Sequence, residues 1–216
     1  MRDLFDTVDI GQLQHQELAP GAMLLRGQAL PLQDRILAAL RTVVAAAPFR
    51  HMVTPGGFTM SVAMTNCGAA GWVTDRTGYR YDPRDPDSAN PWPDMPDAFR
   101  HLATTAAEAA GYPAFVPDAC LINRYEPGAR LSLHQDRNER DMAAPIVSVS
   151  LGLPAGFQFG GLQRSDPIRR IALQHGDVVV WGGPSRLRYH GVLPLPDGEH
   201  PVLGHARINL TFRKAL

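Results

Sequence analysis

From Asp118 onward the chain is a succession of short strand-like runs: "DACLINRY", "RLSLHQD", "PIVSVSLGL", "FQFGG", "RRIALQ", "DVVVWGG" and "RINLTFR". Gly, Pro, Asp or Asn separates most of them, and short strands at this spacing restrict the fold to a sandwich or a barrel. Upstream the pattern changes. "PLQDRILAALRTVVAAAP", residues 31–48, has the apolar spacing of an amphipathic helix, with Pro31 near its first turn and a stop at Pro48. "MPDAFRHLATTAAEAAGYP", residues 95–113, reads as a second helix, opened by Pro96 and ended by Gly111 and Pro113. The expectation is an α+β, mainly β chain forming one domain over residues 1–216. Residues 1–117 supply an extension with the helices, and residues 118–216 form the all-β core.

Residues 66–96, beginning "NCGAAGWVTDRTGYRYDPRDPDSANPWPDM", fit neither period. The segment is rich in Gly, Pro and Asp and carries Trp72, Tyr79, Tyr81 and Trp92, which suits a lid or binding loop better than a packed connector. Composition excludes several classes. The apolar runs are too short for a spanning helix. "MRDLFDTVDIGQLQHQ" lacks an apolar leader core, so a cytoplasmic protein with no membrane partner is expected. Cys67 and Cys120 form no zinc-type CxxC pattern and no disulfide framework. The 21 Lys and Arg balance the 21 Asp and Glu, so no overall pull toward nucleic acid is implied. Lys214 is nevertheless the lone lysine; arginine suits planar, bidentate contact with carboxylate and phosphate.

Alternation along the strands places candidate chemistry on their inner faces. In "RLSLHQD", Leu131 and Leu133 share one face, assigned to the core, and Ser132, His134 and Asp136 the other. Alone, a His-x-Asp pair fits a surface or hydrogen-bonding role at least as well as a metal. A third ligand would change that balance. Of the downstream histidines, His175 precedes a Gly-Asp turn, and His200 and His205 sit in a polar loop. His190, between "DVVVWGG" and the final strand, is the best candidate. Two histidines and one carboxylate with open positions form the facial triad of non-haem iron oxygenases, although zinc accepts the same ligands.

The final strand argues against simple zinc hydrolysis. In "RINLTFR", Arg207, Asn209, Thr211 and Arg213 point one way and Ile208, Leu210 and Phe212 the other. The arginines stand about 20 Å apart along an extended chain at ~3.3 Å per residue. If both arms lean inward, the gap between them is about the length of a five-carbon dicarboxylate. In "CLINRYEPG", Asn123 and Tyr125 could offer an amide and a phenol to the same ligand.

Taken together, "MVTPGGFTMSVAMTNCG", "PDACLINRYEPGARLSLHQD", "APIVSVSLGLPAGFQFGGLQRSDP", "HGDVVVWGGPSRLRYHGV" and "RINLTFR" resemble the bacterial AlkB family of DNA-repair dioxygenases, from about residue 48 to 213. The resemblance implies a double-stranded β-helix, a jelly-roll variant, with a nucleotide-recognition lid. It implies iron(II) held by His134, Asp136 and His190, with 2-oxoglutarate and dioxygen as co-substrates. Arg207 would hold the distal carboxylate of 2-oxoglutarate, assisted by Tyr125 and Asn209; Asn123 and Arg213 would serve the end near iron. The implied reaction is oxidative demethylation of bases such as 1-methyladenine and 3-methylcytosine in single- or double-stranded DNA, with RNA as a second substrate class. Formaldehyde, succinate and carbon dioxide are released. Met64, Trp72, Tyr79, Arg80, Tyr81, Asn138 and Arg164 would meet the substrate, Trp72 and the His134 ring stacking on a flipped base. Arg76 and Arg84, beside Arg80, could meet phosphates.

One position departs from the family. Its usual "HQDKDE" reads "HQDRNE" here, so Asn138 stands in place of an acid. An amide donates and accepts but cannot stabilise a cationic base as a carboxylate does, so lesion preference is expected to shift. Two other readings stay open: the same oxygenase chemistry on a protein or small molecule, and a non-catalytic jelly-roll binding module. A monomer is expected.

Overall fold

The structure is a computed structural model that describes residues 15–216. Most of the stretch read above for a leader, residues 1–14, lies outside the described residues. The strands are β1 (His15–Ala19), β2 (Ala22–Leu25), β3 (Arg50–Val53), β4 (Thr59–Gly68), β5 (Gly71–Asp75), β6 (Gly78–Asp82) and β7 (Ala119–Tyr125). They continue with β8 (Leu131–His134), β9 (Ile146–Gly152), β10 (Ala155–Phe159), β11 (Arg169–Leu173), β12 (Val178–Trp181), β13 (His190–Val192) and β14 (Arg207–Arg213). The helices are α1 (Gln33–Ala46) and α2 (Asp97–Ala109).

Both helices fall where the apolar period placed them. In α1, Ile36, Leu37, Leu40 and Val43 are buried; in α2, Ala98, Phe99, Leu102, Ala103, Ala106 and Ala107 are. Each stripe recurs at three- and four-residue steps and so lies on one side of its helix. Pro31 lies in a 3-10 turn, Leu30–Leu32, that leads into α1. α2 ends where Gly111, at φ +90°, turns the chain left-handed; Gly111 N–H then donates to Glu108 O and Tyr112 N–H to Ala107 O.

One sheet has the order β1-β2-β12-β9-β14-β7-β4-β3 and a second β11-β10-β13-β8. The two helices cover the outer face of the larger sheet. Ile208, Leu210 and Phe212 of β14 join Val147, Val149, Val178 and Val180 in one core with Phe99 and Leu102 of α2. Complete burial of a side chain such as Phe99 contributes roughly 1.5–3 kcal/mol. Alternate residues, including Leu121, Tyr125, Val179 and Trp181, point inward and meet Phe157, Phe159, Ile171 and Val192 of the smaller sheet in a second core. The result is a mainly β jelly roll.

Three expectations change in detail. The line at residue 117 does not separate two structural units, because β1–β4 hydrogen-bond into the same sheet as β9, β12 and β14. Part of 66–96 is regular: β4 runs to Gly68, and β5 and β6 pair as a hairpin with Trp72 opposite Tyr81. Finally, β8 does not alternate strictly. Leu131 pairs with Val192 and His134 with His190, and the register shifts between them. This bulge turns both Leu131 and His134 inward. Leu131 packs on the inner core, whereas Leu133, expected beside it, is only half-buried and does not join that core.

Candidate metal and anion site

β14 is a central strand, bonded to β7 on one side and β9 on the other, so all seven of its residues are buried. A solvated edge, which would have explained its polar face trivially, is excluded. Arg207 and Arg213 are only 1% and 5% exposed. Charges so placed need partners. Arg213 has them: its Nε and Nη2 donate to Asp136 Oδ2 at 3.1 and 2.8 Å.

His134, Asp136 and His190 converge. Their candidate ligand atoms all lie within 4.8 Å of one another. Each imidazole Nε2 stands 3.7 Å from a carboxylate oxygen of Asp136. His134 Nδ1 is 2.8 Å from Ser132 O and His190 Nδ1 3.0 Å from Arg188 O. A backbone carbonyl can only accept, so Nδ1 carries the proton and Nε2 turns its lone pair toward the shared centre. Burial, and next the His134 ring, push the His190 imidazole down to about 4, which keeps that lone pair free. Burial would raise the Asp136 carboxyl, but Arg213, His190 and His134 together hold it well below the usual carboxylate range. The remaining histidines considered earlier do other work: His175 accepts from Gly152 N–H and stacks on His200, and His205 Nδ1 meets Gly198 O.

The anion end is built around Arg207. Its Nη2 donates to Ser150 Oγ at 2.8 Å, and its guanidinium lies 4.9 Å from the Tyr125 ring centre. Its Nε and Nη1, and Asn123 Oδ1, are buried with no hydrogen-bond partner among the described residues. Asn209 Nδ2 donates to Ser148 Oγ and Val149 O, both at 2.9 Å, and Asn209 Oδ1 accepts from Thr211 and Asn123. A buried guanidinium with idle N–H donors on two of its nitrogens matches an anionic ligand such as a carboxylate. The donor set therefore fits both a divalent iron and a dicarboxylate. Ser148 and Ser150 were not singled out from sequence, although their two-residue spacing within apolar "PIVSVSLGL" is a signal.

The hairpin supplies the aromatic face. Trp72 and Tyr79 stack with ring centres 5.7 Å apart, and Tyr79 is 49% exposed. Asn66 holds the hairpin by bonding both the N–H and the carbonyl of Trp72. Trp72 Nε1 donates to Asn138 Oδ1 at 3.3 Å, and the Tyr81 hydroxyl donates to Glu139 Oε1 at 2.7 Å. Met64 is buried opposite Asn123. Arg164 donates to Leu133 O and lies over Tyr189. Arg80 pairs with Val73, away from the three aromatics, and is bound to Asp75 and Asp82; Arg84 is held by Ala89 O. Glu139 and Arg186, both buried beside Asp136, were missed because the irregular "DRNERD" and the turn "GGPSRLR" that carry them have no periodicity that marks an inward residue.

A jelly roll with two histidines and one carboxylate gathered between its sheets, next to a buried arginine with no carboxylate partner among the described residues, defines a non-haem iron oxygenase that uses a keto acid. The family model for the 2OG-Fe(II) oxygenase superfamily matches residues 21–213. The chain is 59% identical over 215 residues to the alpha-ketoglutarate-dependent dioxygenase AlkB of Escherichia coli (strain K12), covering 100% of this chain and 98% of that one. It is 62% identical over 200 residues to AlkB of Salmonella typhimurium, covering 93% of each. The solved structure of OsALKBH1 superposes with a TM-score of 0.80 at 29% identity, over 93% of this chain and 100% of the other. The chain belongs to the 2OG-Fe(II) oxygenase superfamily and, within it, to the bacterial AlkB family. Iron(II), 2-oxoglutarate and dioxygen are its cofactor and co-substrates.

Proposed function

We propose that this chain oxidatively demethylates N-alkylated bases of the 1-methyladenine and 3-methylcytosine type in DNA, and in RNA where the same base is unpaired. The observation that carries this reading is the placing of a partly buried triad, an arginine with idle donors and a stacked aromatic hairpin around one region of the inner face. His134, Asp136 and His190 would hold the iron. Arg207 would take the distal carboxylate of 2-oxoglutarate, with Tyr125 and Asn209 beside it, while Asn123 and Arg213 serve the other end. When bound, iron(II) with 2-oxoglutarate activates dioxygen to oxidise the N-methyl carbon, after which the hydroxymethyl product loses formaldehyde.

The chain's own residues bind and orient. Ser132 O and Arg188 O engage Nδ1 of each imidazole, so that Nε2 is the nitrogen each ring turns toward a cation. Burial of Tyr125, Asn209 and Arg207 excludes water from the keto acid's far end. Trp72 and the His134 ring would take the two faces of an extruded base, with Met64, Tyr79 and Tyr81 around it, and a cationic methylated base favours such π-faces. Asn138, held by Trp72, would address the base edge and Arg164 the strand nearby, whereas Arg80, on the other face of the hairpin and bound by Asp75 and Asp82, would not reach it. Two free buried cysteines, Cys67 opposite Cys120, suit a reducing compartment, and the chain is proposed to act in the cytoplasm as a monomer.

The test is formaldehyde release from a methylated single-stranded oligonucleotide with iron(II) and 2-oxoglutarate. Release that matches lesion loss and requires both additions supports the reading. Turnover of 2-oxoglutarate that the oligonucleotide neither stimulates nor converts to formaldehyde would point to a protein or small-molecule substrate.

A further inference from the structure

Glu139 is an unexpected buried charge. It lies in the irregular segment after β8, flanked by exposed Asn138 and Arg140, yet its side chain is only 2% exposed. Its Oε1 accepts the Tyr81 hydroxyl at 2.7 Å and stands 3.3 Å from Arg213 Nε. Its Oε2 accepts from Arg186 Nη2 at 3.0 Å. Arg186 secures the segment on both sides of Glu139, donating to Asp136 O and to Ala144 O, each at 3.0 Å. Arg213 in turn donates to Asp136 Oδ2 at 2.8 Å. A continuous path of polar contacts thus runs from the hairpin through Tyr81, Glu139 and Arg213 to Asp136, with no step longer than 3.3 Å.

We propose that Glu139 is a positioning residue that joins the aromatic hairpin to Asp136 through Arg213, so that nucleic-acid binding and metal binding strengthen each other. The inference rests on the functional reading above. Two carboxylates and two guanidiniums share this pocket. Glu139 takes part of Arg213 and the charge of Arg186, and so stops Arg213 from binding Asp136 exclusively. Without that carboxylate, Arg213 would compete with a cation for Asp136 Oδ2, and Arg186 would be left a buried charge without its counter-ion. A cation that draws on Asp136 frees Arg213 toward Glu139, which firms the Glu139 carboxylate under the Tyr81 hydroxyl. Linkage requires the reverse effect to be equal in size.

The experiment measures the dissociation constant of a methylated single-stranded oligonucleotide with and without Mn(II) plus 2-oxoglutarate, and of Mn(II) alone. In the parent protein the metal and keto acid should tighten oligonucleotide binding by about fivefold or more. Glu139→Gln, which removes the charge but keeps an acceptor for Tyr81, should weaken Mn(II) binding by about tenfold and drive the coupling factor toward one. Tyr81→Phe should also abolish the coupling while weakening Mn(II) binding much less. Circular dichroism verifies that each variant is folded, and should one fail to fold, the other decides. A coupling factor that survives in the folded variants, or one of unity in the parent, overturns the proposal. Failure of the parent to bind Mn(II) with 2-oxoglutarate, or to bind the oligonucleotide at all, would instead overturn the functional reading.

Discussion

Among the described residues, Arg207 Nε and Nη1 have no partner at 1% exposure, a desolvation cost that an anionic ligand would relieve. Arg207→Ala should therefore weaken 2-oxoglutarate binding by about 2–5 kcal/mol, read by calorimetry with Mn(II) present; unchanged affinity would place the keto acid elsewhere. Asn138 acts at the opposite end. It accepts from Trp72 Nε1 and holds an amide beside the aromatic face. Asn138→Asp should change the ratio of kcat/KM for 1-methyladenine and 3-methylcytosine oligonucleotides by a few-fold, and an unchanged ratio would show that this side chain does not address the base. The alternation Arg-x-Asn-x-Thr-x-Arg was legible because a strand repeats every two residues and polar groups on a central strand have nowhere to go but inward. Glu139 was illegible for the opposite reason: in an irregular segment neither period predicts direction, so only tertiary packing reveals that it is buried.

At the scale of elements, the bulge between β8 and β13 decides whether the triad forms. A Cβ at Gly191 would stand 2.8 Å from Leu131 O and 3.1 Å from Leu133 N, both backbone atoms that cannot swing aside. Gly191→Ala should push β13 from β8, cost about 1–3 kcal/mol of stability in denaturant titrations, and weaken Mn(II) binding; loss of neither would mean that the bulge is dispensable. The turn of the β5–β6 hairpin offers a pH test. The Thr77 hydroxyl and amide, then Arg80, hold the Asp75 carboxyl at about 2, below its ordinary 3.8. A depressed acid stabilises the fold above its unfolded value and loses that contribution as pH falls through the folded one. The Thr77 amide resonance should thus titrate with a midpoint of about 2, whereas a midpoint near 3.8 would mean that the turn is not ordered in this way. Helices and long strands were readable from their periods. The three-residue β13 was not, being too short to show one, and the aromatic hairpin was hidden in a Gly- and Asp-rich segment that resembles a loop.

At the scale of the molecule, the sheet of eight strands recruits β1–β4 from the N-terminal half, while the hairpin is a two-stranded sheet of its own, tied to the segment after β8 by the Trp72–Asn138 and Tyr81–Glu139 hydrogen bonds. Strand pairing across more than a hundred residues, such as β2 with β12, leaves no mark in local pattern, and for that reason the N-terminal half reads from sequence as an attachment. The whole arrangement serves to bring a cation and a diacid together beneath an aromatic face. The most direct measurement is anomalous diffraction from crystals grown with Mn(II) and 2-oxoglutarate. One manganese peak is expected, bounded by His134 Nε2, His190 Nε2 and the Asp136 carboxylate, with the far carboxylate of the keto acid on the Arg207 guanidinium. A metal outside those three side chains, or a keto acid that leaves Arg207 untouched, would contradict it.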